Sequence, residues 1–179
     1  IVRTFGPEVV NPDGHLNRAK LAELAFSHGR LHDLNAIVHP ATIEAQRQWM
    51  HEVFQRNPTA IAVVVSALIF EVERDARARG ESDPVLTDWK RRFDRIVVIT
   101  APGALKIQRY THRVDPAAAN RPAAEADARA RLIHQMSDEQ KAARADYRLE
   151  NTGDKEDLER QVRALWLRLE AESNQMAGL

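Results

Sequence analysis

Two short apolar runs, Ile61-Ala62-Val63-Val64-Val65-Ser66-Ala67-Leu68-Ile69-Phe70 and Arg95-Ile96-Val97-Val98-Ile99-Thr100, constrain the fold more than anything else in the sequence. Both are β-branched and continuous, without polar alternation, the pattern of a strand buried on both faces of a parallel sheet. A third, weaker strand-like stretch covers Asp146 to Glu150 and ends at Asn151-Thr152-Gly153. Strands separated by helical segments need crossover connections, and crossovers place helices over a parallel sheet. The expected class is α/β. Three strands are few for such a sheet, and the sequence opens on Ile1 in mid-pattern, so a truncated or processed start is also expected.

The segments between the runs read as helices. After the turn-like Asn11-Pro12-Asp13-Gly14, Leu16 to Phe26 carries apolar residues at helical spacing, and Gly29 reads as a stop. Leu31, Leu34 and Ile37 suggest a second helix, and Pro40 the first turn of a third that ends at Asn57-Pro58. Glu71 to Arg91 is polar and reads as an irregular connection with a short helix. Ala101-Pro102-Gly103 turns into a helix carrying Leu105, Ile107 and Tyr110. VDPAAANRPAA, residues 114–124, is a Pro/Ala-rich break before one charged helix from about Glu125 to Arg144. Lys155 to about Glu172 is amphipathic, with Leu158, Val162, Leu165, Trp166 and Leu169 on one face.

Composition narrows the function classes. Lys plus Arg and Asp plus Glu both total 26, so the formal charge is zero and offers no global case for nucleic acid or an anionic membrane. The longest apolar run is far too short to span a bilayer. Cysteine is absent, which excludes disulfides, thiolate metal sites and cysteine nucleophiles and is compatible with a reducing cytoplasm. Ser66 has no partner pattern for nucleophilic catalysis.

Several local patterns occur in a particular order: Phe5-Gly6; Asp13-Gly14-x-Leu16-x-Arg18; Leu34-Asn35-x-x-x-His39-Pro40; Leu68-Ile69-Phe70-Glu71; Arg109-x-x-x-Arg113; Gln135; Ala145-Asp146-Tyr147; and Asn151-x-Gly153. Together this succession resembles the dephospho-CoA kinase family, and the resemblance runs along nearly all of the chain. It implies a P-loop NTPase-like parallel sheet flanked by helices, with a helical lid at about 114–145 and an acceptor-binding helical region at 15–57 within a single partial kinase domain. It also implies ATP-dependent phosphorylation of the ribose 3′-hydroxyl of dephospho-CoA, with Mg²⁺ held mainly through the ATP phosphates and no metal ligand in this chain. The sequence departs from the family in one large respect. It has no G-x-x-x-x-G-K-[ST] loop and no second strand carrying the base aspartate, so the first two strands and the phosphate loop are expected to be missing and the chain by itself inactive.

By resemblance, Arg113 reaches the ATP phosphates with Arg109 in support, and Asn151 and Gly153 border the adenine. Arg121, Arg129 and Arg131 would belong to the closing lid. Arg18, His39, Phe70 and Glu71 line the dephospho-CoA side. Each has a plainer reading: Arg113 as a solvated arginine easing a negative helix end, Asn151-Thr152-Gly153 as a turn before a helix, His39 as a structural histidine, Phe70 and Glu71 as core and salt bridge. The alternative to a kinase is a non-catalytic α/β binding or interaction module that kept the scaffold. A small-molecule partner in the cytoplasm is the expectation, with no nucleic acid and no membrane.

Overall fold

The computed structural model describes residues 1–177 and divides the chain into two compact units, Ile1–Asn57 and Pro58–Leu179. In the first unit a short helix α1 (Val2–Phe5) and a 3₁₀ turn (Pro7–Val9) lead into a tight reversal. Val10 and Leu16 bridge antiparallel across it, and Gly14 takes a φ of +83°, a conformation that suits a residue without Cβ. Helix α2 (Arg18–Ala22) starts at Asn17, whose side chain accepts from the Lys20 N–H, and continues as a π-helical turn (Glu23–Ser27). Phe5, Val9 and Leu21 form the buried core, with Leu24, Leu34 and Ile37 packed against it.

Where the sequence suggests two helices on either side of Pro40, the structure has one: α3 runs Leu31–Arg56 with Pro40 inside it. Proline removes one helical hydrogen bond and strains the preceding turn. The long run of helix formers from Ala41 to Arg56 carries the helix through. Asn57-Pro58 ends it, as expected.

In the second unit, α4 (Ile69–Ala78), α5 (Pro84–Thr87) and a 3₁₀ turn (Trp89–Arg91) precede strand β1 (Val97–Thr100). Helix α6 (Gly103–Val114), helix α7 (Arg121–Ile133), helix α8 (Asp138–Ala142), strand β2 (Tyr147–Glu150) and helix α9 (Lys155–Ala177) follow. The two strands pair parallel, Val97 against Tyr147 through Thr100 against Glu150. Phe70, Trp89, Ile96 and Val98 make the buried cluster beneath them, with Phe70 and Trp89 edge to face at 5.9 Å. Burying two such rings contributes roughly 4 kcal/mol. The class is therefore α/β, mostly helical, with a small parallel sheet.

Three expectations need correcting. The Ile61–Phe70 run is not a strand. Residues 61–66 adopt no regular secondary structure and join no ladder among the described residues, and Ile69 and Phe70 already belong to α4. β-branching favours an extended backbone, but only a neighbour's N–H and C=O groups make it a strand. Val65 is 94% exposed here. β1 is buried on one face only, by Val98 and Thr100, while Val97 and Ile99 face outward. The charged helix expected over Glu125–Arg144 is two helices, because Ser137 and Gln140 form a capping box that starts α8 afresh. No helix of the described residues is long and apolar enough to cross a membrane.

Candidate active site at the carboxyl ends of the strands

Both strands end at the same level, Thr100 beside Glu150. Open parallel sheets bind ligands beyond this edge, where the chain leaves each strand for a helix. Ala101-Pro102 leads from β1 into α6, and Asn151-Thr152-Gly153 leads from β2 toward α9. The Asn151 N–H donates to the Thr100 carbonyl at 2.8 Å, extending the sheet by one bond.

Helix α6 carries Lys106, Arg109 and Arg113 at spacings of three and four, which stack them along one side. Arg109 Nη1 donates to the Asn151 carbonyl at 2.9 Å, across 42 residues of sequence, and so joins the helix after β1 to the turn after β2. Lys106 Nζ pairs with Asp138 Oδ1, and Asp138 Oδ2 accepts from the Ala101 N–H at 3.0 Å. A hollow of about 250 Å³ opens beside Ala101 and Asp138, lined also by Thr100, Pro102, Arg148 and Thr152.

Arg113 is exposed near the end of α6, its guanidinium 5.4 Å from the Tyr110 ring centre. Arg131, from α7, lies 5.6 Å from the same centre. The Tyr110 hydroxyl and Arg131 Nε both bond to Asp127. The hydroxyl, then the guanidinium, hold the Asp127 carboxyl below its usual range, and that carboxylate in turn pushes the Tyr110 phenol up. One aromatic ring thus collects two guanidinium groups from two helices, a cation–π arrangement. The break before α7 is organised by Asp115, whose carboxylate accepts from the Ala119 and Asn120 N–H groups.

Of the residues read from sequence, Arg109 and Asn151 are brought into contact, and Gly153 lies two residues on. A Cβ on Gly153 would come within 2.5 Å of the Asp157 carboxylate, the far end of a side chain that can swing away. Phe70 is core, and its ring also carries the Arg144 guanidinium at 4.5 Å. Glu71 is 3% exposed, pairs with Lys141 at 2.8 Å and accepts from the Met136 N–H at 2.8 Å. Next to it, Glu73 is buried between Arg77 and Arg144. In the first unit, Arg18 is exposed at the start of α2, and His39 is half-buried inside α3 rather than beside a helix start.

Lys106, Asp138 and Gln161 escaped the reading of the sequence. Lys106 was legible as the third member of the α6 basic stripe. Gln161 was legible as a polar residue inside the apolar stripe of α9, three residues after Leu158 and four before Leu165. Asp138 had no such signal, since a carboxylate in the first turn of a helix is ordinary.

A profile of the dephospho-CoA kinase family matches residues 1–157. The dephospho-CoA kinase of Corynebacterium diphtheriae is 34% identical over 169 residues, covering 94% of this chain and 73% of that protein. The dephospho-CoA kinases of Thermobifida fusca and Moorella thermoacetica are each 32% identical over 171 residues, covering 95% of this chain and 73% and 70% of theirs.

Proposed function

The chain belongs to the dephospho-CoA kinase family, and from that premise we propose that it supplies the nucleotide- and acceptor-binding parts of an enzyme that transfers the γ-phosphoryl group of ATP to the ribose 3′-hydroxyl of dephospho-CoA. The observation that carries the reading is the Arg109–Asn151 contact at the carboxyl ends of the two parallel strands. It joins two segments remote in sequence at the place where such sheets bind ligands.

Phosphoryl transfer asks a protein mainly for positioning and for positive charge around the transferring group. In this reading Arg113 bonds phosphate oxygens two at a time, as a planar guanidinium can. Arg109 supports Arg113 and holds the Asn151–Gly153 turn, that turn borders the adenine, and α7 and α8 act as a lid that excludes water when ligands bind. Mg²⁺ arrives as part of the MgATP substrate and is held through its phosphates and water. Arg18 and His39 bear on dephospho-CoA. Phe70 and Glu71 serve the acceptor side as packed, buried support, since neither side chain reaches solvent. The cytoplasm is the compartment this substrate pair implies.

The 179 residues contain no G-x-x-x-x-G-K-[ST] run. The backbone N–H cradle and lysine that hold β- and γ-phosphates are therefore not among them. The chain on its own is accordingly proposed to be inactive, with turnover requiring a phosphate loop and base aspartate joined to it. The test is a side-by-side phosphorylation assay with ATP and Mg²⁺. The 179-residue chain is expected to give no turnover. The full-length protein is expected to phosphorylate dephospho-CoA far better than AMP, CMP or shikimate. Preference for a nucleoside monophosphate would overturn the acceptor, and turnover by the 179-residue chain would overturn the placement of the catalytic machinery.

A further inference from the structure

We propose that Gln161 is a positioning residue for the nucleotide base, holding the Asn151–Gly153 turn in place through its side-chain amide; the inference rests on the kinase reading above. β2 has β1 on one side. On the other side, at its carboxyl end, Gln161 of α9 supplies what a further strand would. Its Oε1 accepts from the Glu150 N–H at 2.8 Å and its Nε2 donates to the Glu150 carbonyl at 2.9 Å. This double pairing also fixes which way the amide points, because the flipped side chain would set donor against donor and acceptor against acceptor.

The Glu150–Asn151 peptide is consequently held from both ends. Its carbonyl is bound by Gln161 and its N–H by the Thr100 carbonyl at 2.8 Å. The next carbonyl, of Asn151, is bound by Arg109. Three elements thus converge on two consecutive peptides: the sheet, α6 and α9. Arg109 fixes the turn from the α6 side, and only Gln161 fixes it from the α9 side among the bonds described. Gln161 also lines a hollow of about 300 Å³ with Glu150, Thr152, Gly153 and Asp157. The residue stands in the apolar stripe of α9, where a leucine would bury more apolar surface, so an amide here is a choice for the two bonds rather than for packing.

Neither a carboxylate nor an ammonium group reproduces both bonds. Gln161→Met removes both at nearly constant length. Gln161→Glu keeps acceptance from the Glu150 N–H but leaves the Glu150 carbonyl, the one leading into Asn151, without its donor. In the full-length protein both variants are expected to raise the KM for ATP about 5- to 10-fold, the loss of one or two hydrogen bonds at an ordered turn. The KM for dephospho-CoA is expected to stay within about 2-fold, and discrimination between ATP and GTP to fall. If Gln161→Met is too unstable to purify, Gln161→Glu gives the same readout. A lower melting temperature with both KM values and base discrimination unchanged would make Gln161 merely structural and overturn the proposal. So would a parallel rise in both KM values. Wild-type protein that turns over normally beside either result separates this failure from that of the kinase reading, which wild-type inactivity would overturn along with it.

Discussion

Removing the ammonium group of Lys141 tests how much of the second unit depends on one buried charge. Lys141 Nζ sits 2.8 Å from Glu71 Oε1, with side-chain exposures of 12% and 4%. The same nitrogen donates to the Ala67 carbonyl at 2.8 Å. In Lys141→Met the Glu71 carboxylate keeps one donor, the Met136 N–H, and its Oε2 already lacks a hydrogen-bond partner. Breaking a buried pair from one side costs about 3–5 kcal/mol, because the remaining charge is desolvated without compensation. The surviving Met136 bond puts the expected loss at the lower end, about 3 kcal/mol, against a total of roughly 5–15 kcal/mol. With a urea dependence of about 2 kcal/mol per molar, the unfolding midpoint should fall by about 1.5 M. Trp89, buried in the core of this unit, reports it by fluorescence in a Trp49→Phe, Trp166→Phe background. Adding Glu71→Leu to Lys141→Met should recover all but about 1 kcal/mol, the remainder being the Met136 N–H left without an acceptor. A loss below about 1 kcal/mol for the single variant, or a double variant no better than the single, would refute the argument and mean that water serves Glu71.

Other outcomes follow from the same geometry. Arg113→Ala in the full-length protein should lower kcat about 100-fold with stability changed by less than about 0.5 kcal/mol, since the side chain is exposed and, in the proposed function, acts on phosphate. Equal loss of stability with unchanged turnover would return it to a helix-end arginine. The Glu44 carboxyl is lowered from 4.5 to about 2, first by the hydrogen bond from Arg47 and then by that from Gln48. Whatever this exposed group adds to stability is present above about pH 4.5 and is lost as pH falls through about 2. Its NMR titration midpoint should lie near 2, and a midpoint above 4 would show that the Arg47 contact does not persist in solution.

The sequence made legible those elements whose stability is local. The helix starting at Lys155 and the turn at Ala101-Pro102-Gly103 were read from spacing and form where they were read, although Val162 and Trp166 of the stripe read for α9 are exposed. The strand at 61–70 was misread because β-branching reports a preference for extended backbone, and pairing is decided elsewhere in the chain. Pro40 was given too much weight, since a proline's cost is fixed while a long helix gains at every following residue. Ser137-x-x-Gln140 is a helix-start signature that stood in the sequence but was passed over for the charge pattern around it. In the site, Arg109 and Asn151 were readable as types of residue near strand ends, but their contact was not, because nothing in a sequence reports which carbonyl a guanidinium will reach. Glu71 shows the converse. Its burial follows from the position of Lys141 on α8, 70 residues away, and no local pattern announces it.

The unpaired segment at residues 61–66 has a consequence for handling the protein. Ile61-Ala62-Val63-Val64-Val65-Ser66 carries no charge, no proline and no glycine, and its backbone is not engaged in a ladder among the described residues. Such a stretch is a template for self-assembly, in which copies from different molecules stack strand on strand at a spacing of about 4.8 Å. The 179-residue chain should accordingly form β-rich fibrils that bind thioflavin as its concentration rises. A single Val65→Lys change, at a side chain already turned to water, should suppress them at little cost to the fold.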